Sequence, residues 1–305
     1  MFSSSRFGRL ATSVLAFFRR HDWLAFLLQQ VLVFILAVVL LQGARLLTGK
    51  SIHGGKDMMG PVEFVGMLVL FSAMIGVSVW VYRKVAGPEA PALGLVPGVR
   101  GLGHYLVGLT LGLITAGWPL FVSLASGQMR ITETLFSRFE VTGILGMLAL
   151  GTVTLTANSI VEEATSRAVP FQLFRHRARL FRLLVPALLF AALHLADEPF
   201  RLGAFYSRTL AGIVFGLAYL LTRDIWLASG LHTGTNQAVL LASGKWHMGA
   251  LCLASGERFG SAWADSVSWT LLAVGLGWML FRRHGALRVS REERVAGGVE
   301  AAAGV

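Results

Sequence analysis

Residues 23–42 read WLAFLLQQVLVFILAVVLLQ, twenty positions without one charged side chain. A helix of about 20 residues is about 30 Å long, the thickness of a bilayer's hydrocarbon core. Runs of similar character recur near 62–82, 102–124, 141–166, 183–197, 203–222, 226–243 and 266–281. About eight spans are therefore predicted. The whole composition agrees, since the 305 residues are 55% hydrophobic and only 14% charged. Soluble domains carry about 25% charged residues. The fold class expected is an all-α polytopic membrane protein of about eight transmembrane helices, with any active site inside the helical bundle.

Working outward from 23–42, the basic leader before it is long for a signal peptide, and LLQGARLL after it is a poor cleavage site. The segment is read as an anchor. A formal net charge of +11 invites a nucleic-acid reading, but the arginines fall between apolar spans, as short cytoplasmic loops require. No nucleic-acid partner is expected. The lysine and arginine bias puts both termini in the cytoplasm, and the short arginine- and leucine-rich loops suit a bacterial inner membrane. The single cysteine, Cys252, excludes an internal disulfide and falls in an expected outer loop. The domain reading is N-terminal helices at 1–139, a catalytic core at 140–245, a last transmembrane region at 246–284 and a disordered tail at 285–305. The loop GPEAPALGLVPGVRG (87–101) is the clearest break in the chain.

Ionisable groups within spans are costly and normally have a partner or a task. Three regions hold them. In EEATSR (162–167), Glu163 and Arg167 are four apart and share a helix face, while Glu162 points about 100° away. In FAALH (190–194), Phe190 and His194 are four apart. In HTGTN (232–236), an imidazole and a carboxamide, His232 and Asn236, project side by side. Each has a bland counterpart: charges at the water interface, a histidine bonded to a neighbouring helix, or polar glue between helices. Taken together, a carboxylate, two imidazoles and an amide are the parts for hydrolysis by an activated water. The sequence has no HExxH, no GxGD and no GxSxG, which excludes the zinc, aspartate and serine designs that those patterns serve.

In order and on successive spans, these three motifs resemble EExxxR, FxxxH and HxxxN of the CAAX-protease and bacteriocin-processing (CPBP, or Abi) intramembrane endopeptidases. These are relatives of the type II CAAX prenyl endopeptidase. Ala168 stands where a glycine often follows the first motif. The resemblance implies an intramembrane endopeptidase acting on a protein or peptide, lipidated or with an apolar C-terminal tail, among membrane lipids. It implies Glu162 as general base, His194 as its partner in holding water, and His232 and Asn236 as oxyanion contacts. Glu163, Arg167 and Phe190 would support them. No cofactor is favoured, and the alternative is a zinc ion on Glu162, His194 and His232. The competing functions are a catalytically silent scaffold or immunity protein of the same fold, and a transporter. Against a transporter, no internal repeat is visible.

Overall fold

Six of the eight apolar runs lie within single helices of the computed structural model, which describes residues 6–48, 61–87, 89–134, 140–196, 199–243, 252–256 and 261–284. Run 141–166 crosses from an α-helix into a π turn, and run 183–197 passes through a 3-10 turn and ends outside the described residues. In chain order the helices are α1 (Arg6–Arg20), α2 (Asp22–Thr48), α3 (Pro61–Ala86), α4 (Val99–Ala125), α5 (Val141–Glu163), α6 (Val169–Leu173), α7 (Arg179–Leu193), α8 (Leu202–Thr222), α9 (Trp226–Ser243) and α10 (Ser261–His284). A π-helical turn, Ala164–Ala168, joins α5 to α6, and a 3-10 turn, His194–Ala196, ends α7. The chain is an all-α polytopic membrane protein.

The count of eight spans is not confirmed. Among the described residues, five helical stretches are long and apolar enough to cross a membrane: Asp22–Leu40, Phe64–Ala86, Val99–Ala125, Val141–Leu173 and Leu202–Thr222. Among the described residues, the remaining three of the expected eight are shorter or more polar. The 15 residues of α7 cover only about 22 Å. α9 carries Ser229, His232, Thr233, Thr235, Asn236 and Gln237, and α10 includes Asp265 and ends near Arg282 and Arg283.

Two further elements were not expected. Residues 6–20, read as part of a basic tail, form α1, which passes through His21 directly into α2. Strands β1 (Met129–Thr134) and β2 (Cys252–Gly256) pair antiparallel, from Met129 opposite Gly256 to Thr134 opposite Cys252. Cys252 therefore sits in a strand rather than a loop. The tail 285–305, with Asp197 and Glu198, lies outside the described residues.

The loop at 87–101 is not an open linker. Gly94 adopts φ +69°, a conformation that L side chains rarely take, and its carbonyl accepts from Ile225 N–H at 3.3 Å. From there α4 runs against α9 backbone to backbone. A Cβ at Gly108 or Gly112 would collide with Leu227 O or Leu231 O, and one at Gly230 or Gly234 with Tyr105 O or Leu109 O. Small residues at four-residue spacing on both helices permit this approach. Gly230→Val is expected to lower the melting temperature in detergent, by an amount matching the 1–3 kcal/mol or more typical of overpacking. Gly76→Ala, where a Cβ meets nothing within 4 Å, should leave it unmoved. Equal melting of the two variants would refute the seam.

Candidate active site

The site begins where α5 stops being an α-helix. Glu162 and Glu163 end α5, and the π turn that follows carries Thr165, Ser166 and Arg167, all buried. Val169 N–H reaches back five residues to Ala164 O, the bond that defines the wider turn. Pro170 comes next and has no N–H to continue the ladder. The helical path still runs on to Leu173, so Glu162 lies well inside a span of 33 residues.

Glu163 and Arg167 are both fully buried. Arg167 Nη1 donates to Glu163 Oε1 at 3.0 Å, the pairing expected of residues four apart. The guanidinium carbon lies 4.3 Å from the Phe190 ring centroid and 5.2 Å from that of Phe215. These ring faces offset part of the cost of burying the charge. The same Glu163 oxygen receives His232 Nδ1 at 2.9 Å, from α9. Because a carboxylate only accepts, Nδ1 carries the proton in this bond, and Nε2 is turned away from Glu163. Phe215 stacks on the His232 ring at 4.9 Å and 15°. Glu163 thus orients an imidazole as well as neutralising an arginine.

Glu162 has a different setting. Its side chain is 31% exposed, and its Oε2 faces His232 Nε2 at 3.8 Å. Its Oε1 accepts from Asn158 Nδ2 at 2.7 Å. Two adjacent carboxylates are thereby divided: one buried and saturated on Oε1, one partly open with no donor bonded to Oε2 among the described residues.

His194 enters from the end of α7, where Nδ1 donates to Phe190 O at 2.8 Å. In the neutral ring that bond leaves Nε2 as an acceptor. Its ring also packs edge-on against Phe190 at 4.7 Å, and Phe190 in turn lies 5.9 Å from the His232 ring. His194 therefore meets the others through Phe190, and no direct bond to Glu162 is formed among the described residues. Asn236 lies one turn beyond His232 on α9, half-buried, and its carboxamide has no hydrogen-bond partner among the described residues.

Two residues were missed in the sequence. Asn158 could have been found, because it stands four positions before Glu162 on the same helix. Phe215 could not, since nothing marks one phenylalanine of α8 as the partner of two charged groups on other helices. Next to the site, Asp22 at the head of α2 receives Arg177 Nη2 at 2.8 Å and His176 Nε2 at 3.1 Å. The Asp22 hydrogen bond holds the Arg177 guanidinium above its ordinary pKa. Phe26 packs edge-on to Phe174 at 5.4 Å, so α2 is docked on α6.

Among the described residues, no three of His, Cys, Asp and Glu form a group able to hold a metal ion. Glu162 and His232 lie 3.8 Å apart, His194 is related to them only through the Phe190 ring, and the three do not form such a group.

The family model described as type II CAAX prenyl endopeptidase Rce1-like matches residues 144–238, which contain all three motifs. No curated protein matches the chain. No solved structure matches it either.

Proposed function

We infer that the chain hydrolyses a peptide bond of a membrane-associated protein or peptide through a water activated by Glu162, a reading supported by the match of residues 144–238 to the type II CAAX prenyl endopeptidase Rce1-like family model. The family match supports the coarser part of this reading, an intramembrane protease. The observation that carries the finer reading is the division of labour between the two glutamates. Glu163 is consumed by Arg167 and His232, whereas Glu162 keeps an oxygen open at 3.8 Å from His232 Nε2. Hydrogen bonds of about 2.8 Å from one water to both atoms fit off the line that joins them.

In the proposed reaction, water gives its proton to Glu162 Oε2 while its oxygen bonds to the peptide carbonyl carbon. His194 Nε2, an acceptor in the tautomer fixed by Phe190 O, steadies the second water proton. The oxyanion accepts from Asn236 Nδ2 and from His232 Nε2–H. That second donor requires His232 to hold both protons, with Nδ1–H on Glu163 and Nε2–H on the oxyanion. Glu162 then passes its proton to the amide nitrogen as the C–N bond breaks, giving an acid and an amine. No step runs through a metal. The substrate proposed is a chain with a lipidated or apolar C-terminal tail, which would bring its scissile bond to the depth of Glu162.

Purified protein in nanodiscs, given a prenylated CAAX peptide and a set of apolar-tailed peptides, tests this. Cleavage that survives a zinc chelator is expected. Asn236→Ala should lower kcat by about a hundred- to a thousandfold, the effect of one lost oxyanion donor. Cleavage abolished by chelator and restored by zinc would replace the water-and-glutamate chemistry. Cleavage of no peptide would favour the silent scaffold.

A further inference from the structure

The π turn leaves one backbone group without a partner in its own helix. In a regular helix Thr165 O would accept from Val169 N–H. Val169 is instead bonded to Ala164 O, and Pro170, the next candidate, has no N–H. A buried carbonyl left in this state is unfavourable and must find a donor elsewhere. It finds one 135 residues away in sequence, where Gln30 Nε2 of α2 donates to Thr165 O at 3.1 Å.

We propose that Gln30 is a positioning residue for the active site, holding open the π turn that aims Glu162, Glu163 and Arg167. The proposal rests on the reading of Glu162 as the base. Gln30 is itself held. Its second N–H goes to Gln29 Oε1 at 2.8 Å, Gln29 Nε2 donates to Ser78 Oγ at 2.9 Å, and Ser78 donates to Met74 O at 2.8 Å. The directions are forced, because the Thr165 and Met74 carbonyls at the two ends can only accept. The relay therefore has one arrangement, and it joins α3 and α2 to the turn.

Thr165 connects that relay to the site. Its hydroxyl lies 2.9 Å from Val161 O and 3.2 Å from Glu162 O, so the residue that Gln30 grips is bonded to the backbone bearing Glu162. Glu163 directly precedes the turn and Arg167 lies within it. If the turn tightened to α-geometry, side chains on its two sides would rotate relative to each other by up to about 100°. The Glu163 contacts to Arg167 and His232 could not both survive. Gln29, Gln30 and Ser78 all lie outside residues 144–238, so the matched segment does not contain everything the site needs.

The test compares wild type with Gln30→Met, which keeps the length and removes both donors, and with Ser78→Ala, which cuts the far end of the relay. Two readouts are taken: kcat and KM for a cleaved peptide, and amide hydrogen exchange across 158–174. Gln30→Met should lose about ten- to a hundredfold in kcat, the scale of a small misplacement of reacting groups. KM should stay within about twofold and exchange should quicken. Ser78→Ala should show the same pattern at a few-fold, and it carries the test if Gln30→Met does not fold. Unchanged kcat, a change in KM alone, or unchanged exchange would overturn the proposal. Should the wild type cleave nothing, the protease reading fails separately, and exchange alone decides whether Gln30 holds the turn.

Discussion

Glu162→Gln should lower peptide cleavage by about a thousand- to ten-thousandfold and leave the melting temperature where it was. The first expectation follows from the loss of the group proposed to take the water's proton, a contribution of at most about 10⁴ for a general base. The second follows from what the side chain touches. Glu162 is partly exposed, its bond from Asn158 ends on an oxygen that a carboxamide retains, and its other oxygen has no hydrogen bond among the described residues, with His232 Nε2 at 3.8 Å. Stability should therefore move by no more than about 0.5 kcal/mol, as for substitutions away from packed features. Single-turnover cleavage beside thermal melts in detergent would measure both. A variant keeping a tenth of wild-type activity would mean that some other residue is the base.

Arg167→Met should behave in the opposite way and fail by instability. Removing the cation leaves Glu163 buried, with His232 as its one remaining partner and Oε2 unbonded among the described residues. Breaking a buried pair from one side typically costs 3–5 kcal/mol. In a chain of this size that corresponds to a fall in Tm on the order of 10 °C. The double variant Arg167→Met, Glu163→Gln removes both charges and should regain most of that loss. It should not regain activity, because His232 would no longer have a carboxylate behind it. If the single variant melted like wild type, Glu163 and Arg167 would not be a charged pair, and the division between the two glutamates would collapse.

Much of this architecture was legible in the sequence because membrane helices announce themselves by length alone. A run such as 23–42 needs no partner to be recognised. The i, i+4 geometry of Glu163 with Arg167 and of Phe190 with His194 was legible for the same reason, being internal to one helix. What could not be read depends on contacts between distant segments. Nothing in MRITET or CLASG, residues 129–134 and 252–256, marks them as partners, and neither run is long enough to signal alone. The π turn leaves only the trace of Pro170 after an apolar stretch. The glutamines at 29 and 30 interrupt an otherwise apolar run, yet their target is a carbonyl freed 135 residues later. Glu163 was given one partner from spacing, and the second, His232, comes from α9 across the bundle.

The β1–β2 pairing bears on the order in which the protein assembles. Its two strands enclose every helix that carries the site, from α5 to α9. Bringing the ends of so long a loop together from a flexible chain costs on the order of 4 kcal/mol in closure entropy. A ladder of this size returns about 0.5–1.5 kcal/mol per hydrogen bond, which leaves little margin. The strands are thus poor nuclei. The ladder is therefore expected to form after α5 and α9 have docked and to part when those helices separate, a late latch on a unit that closes from within.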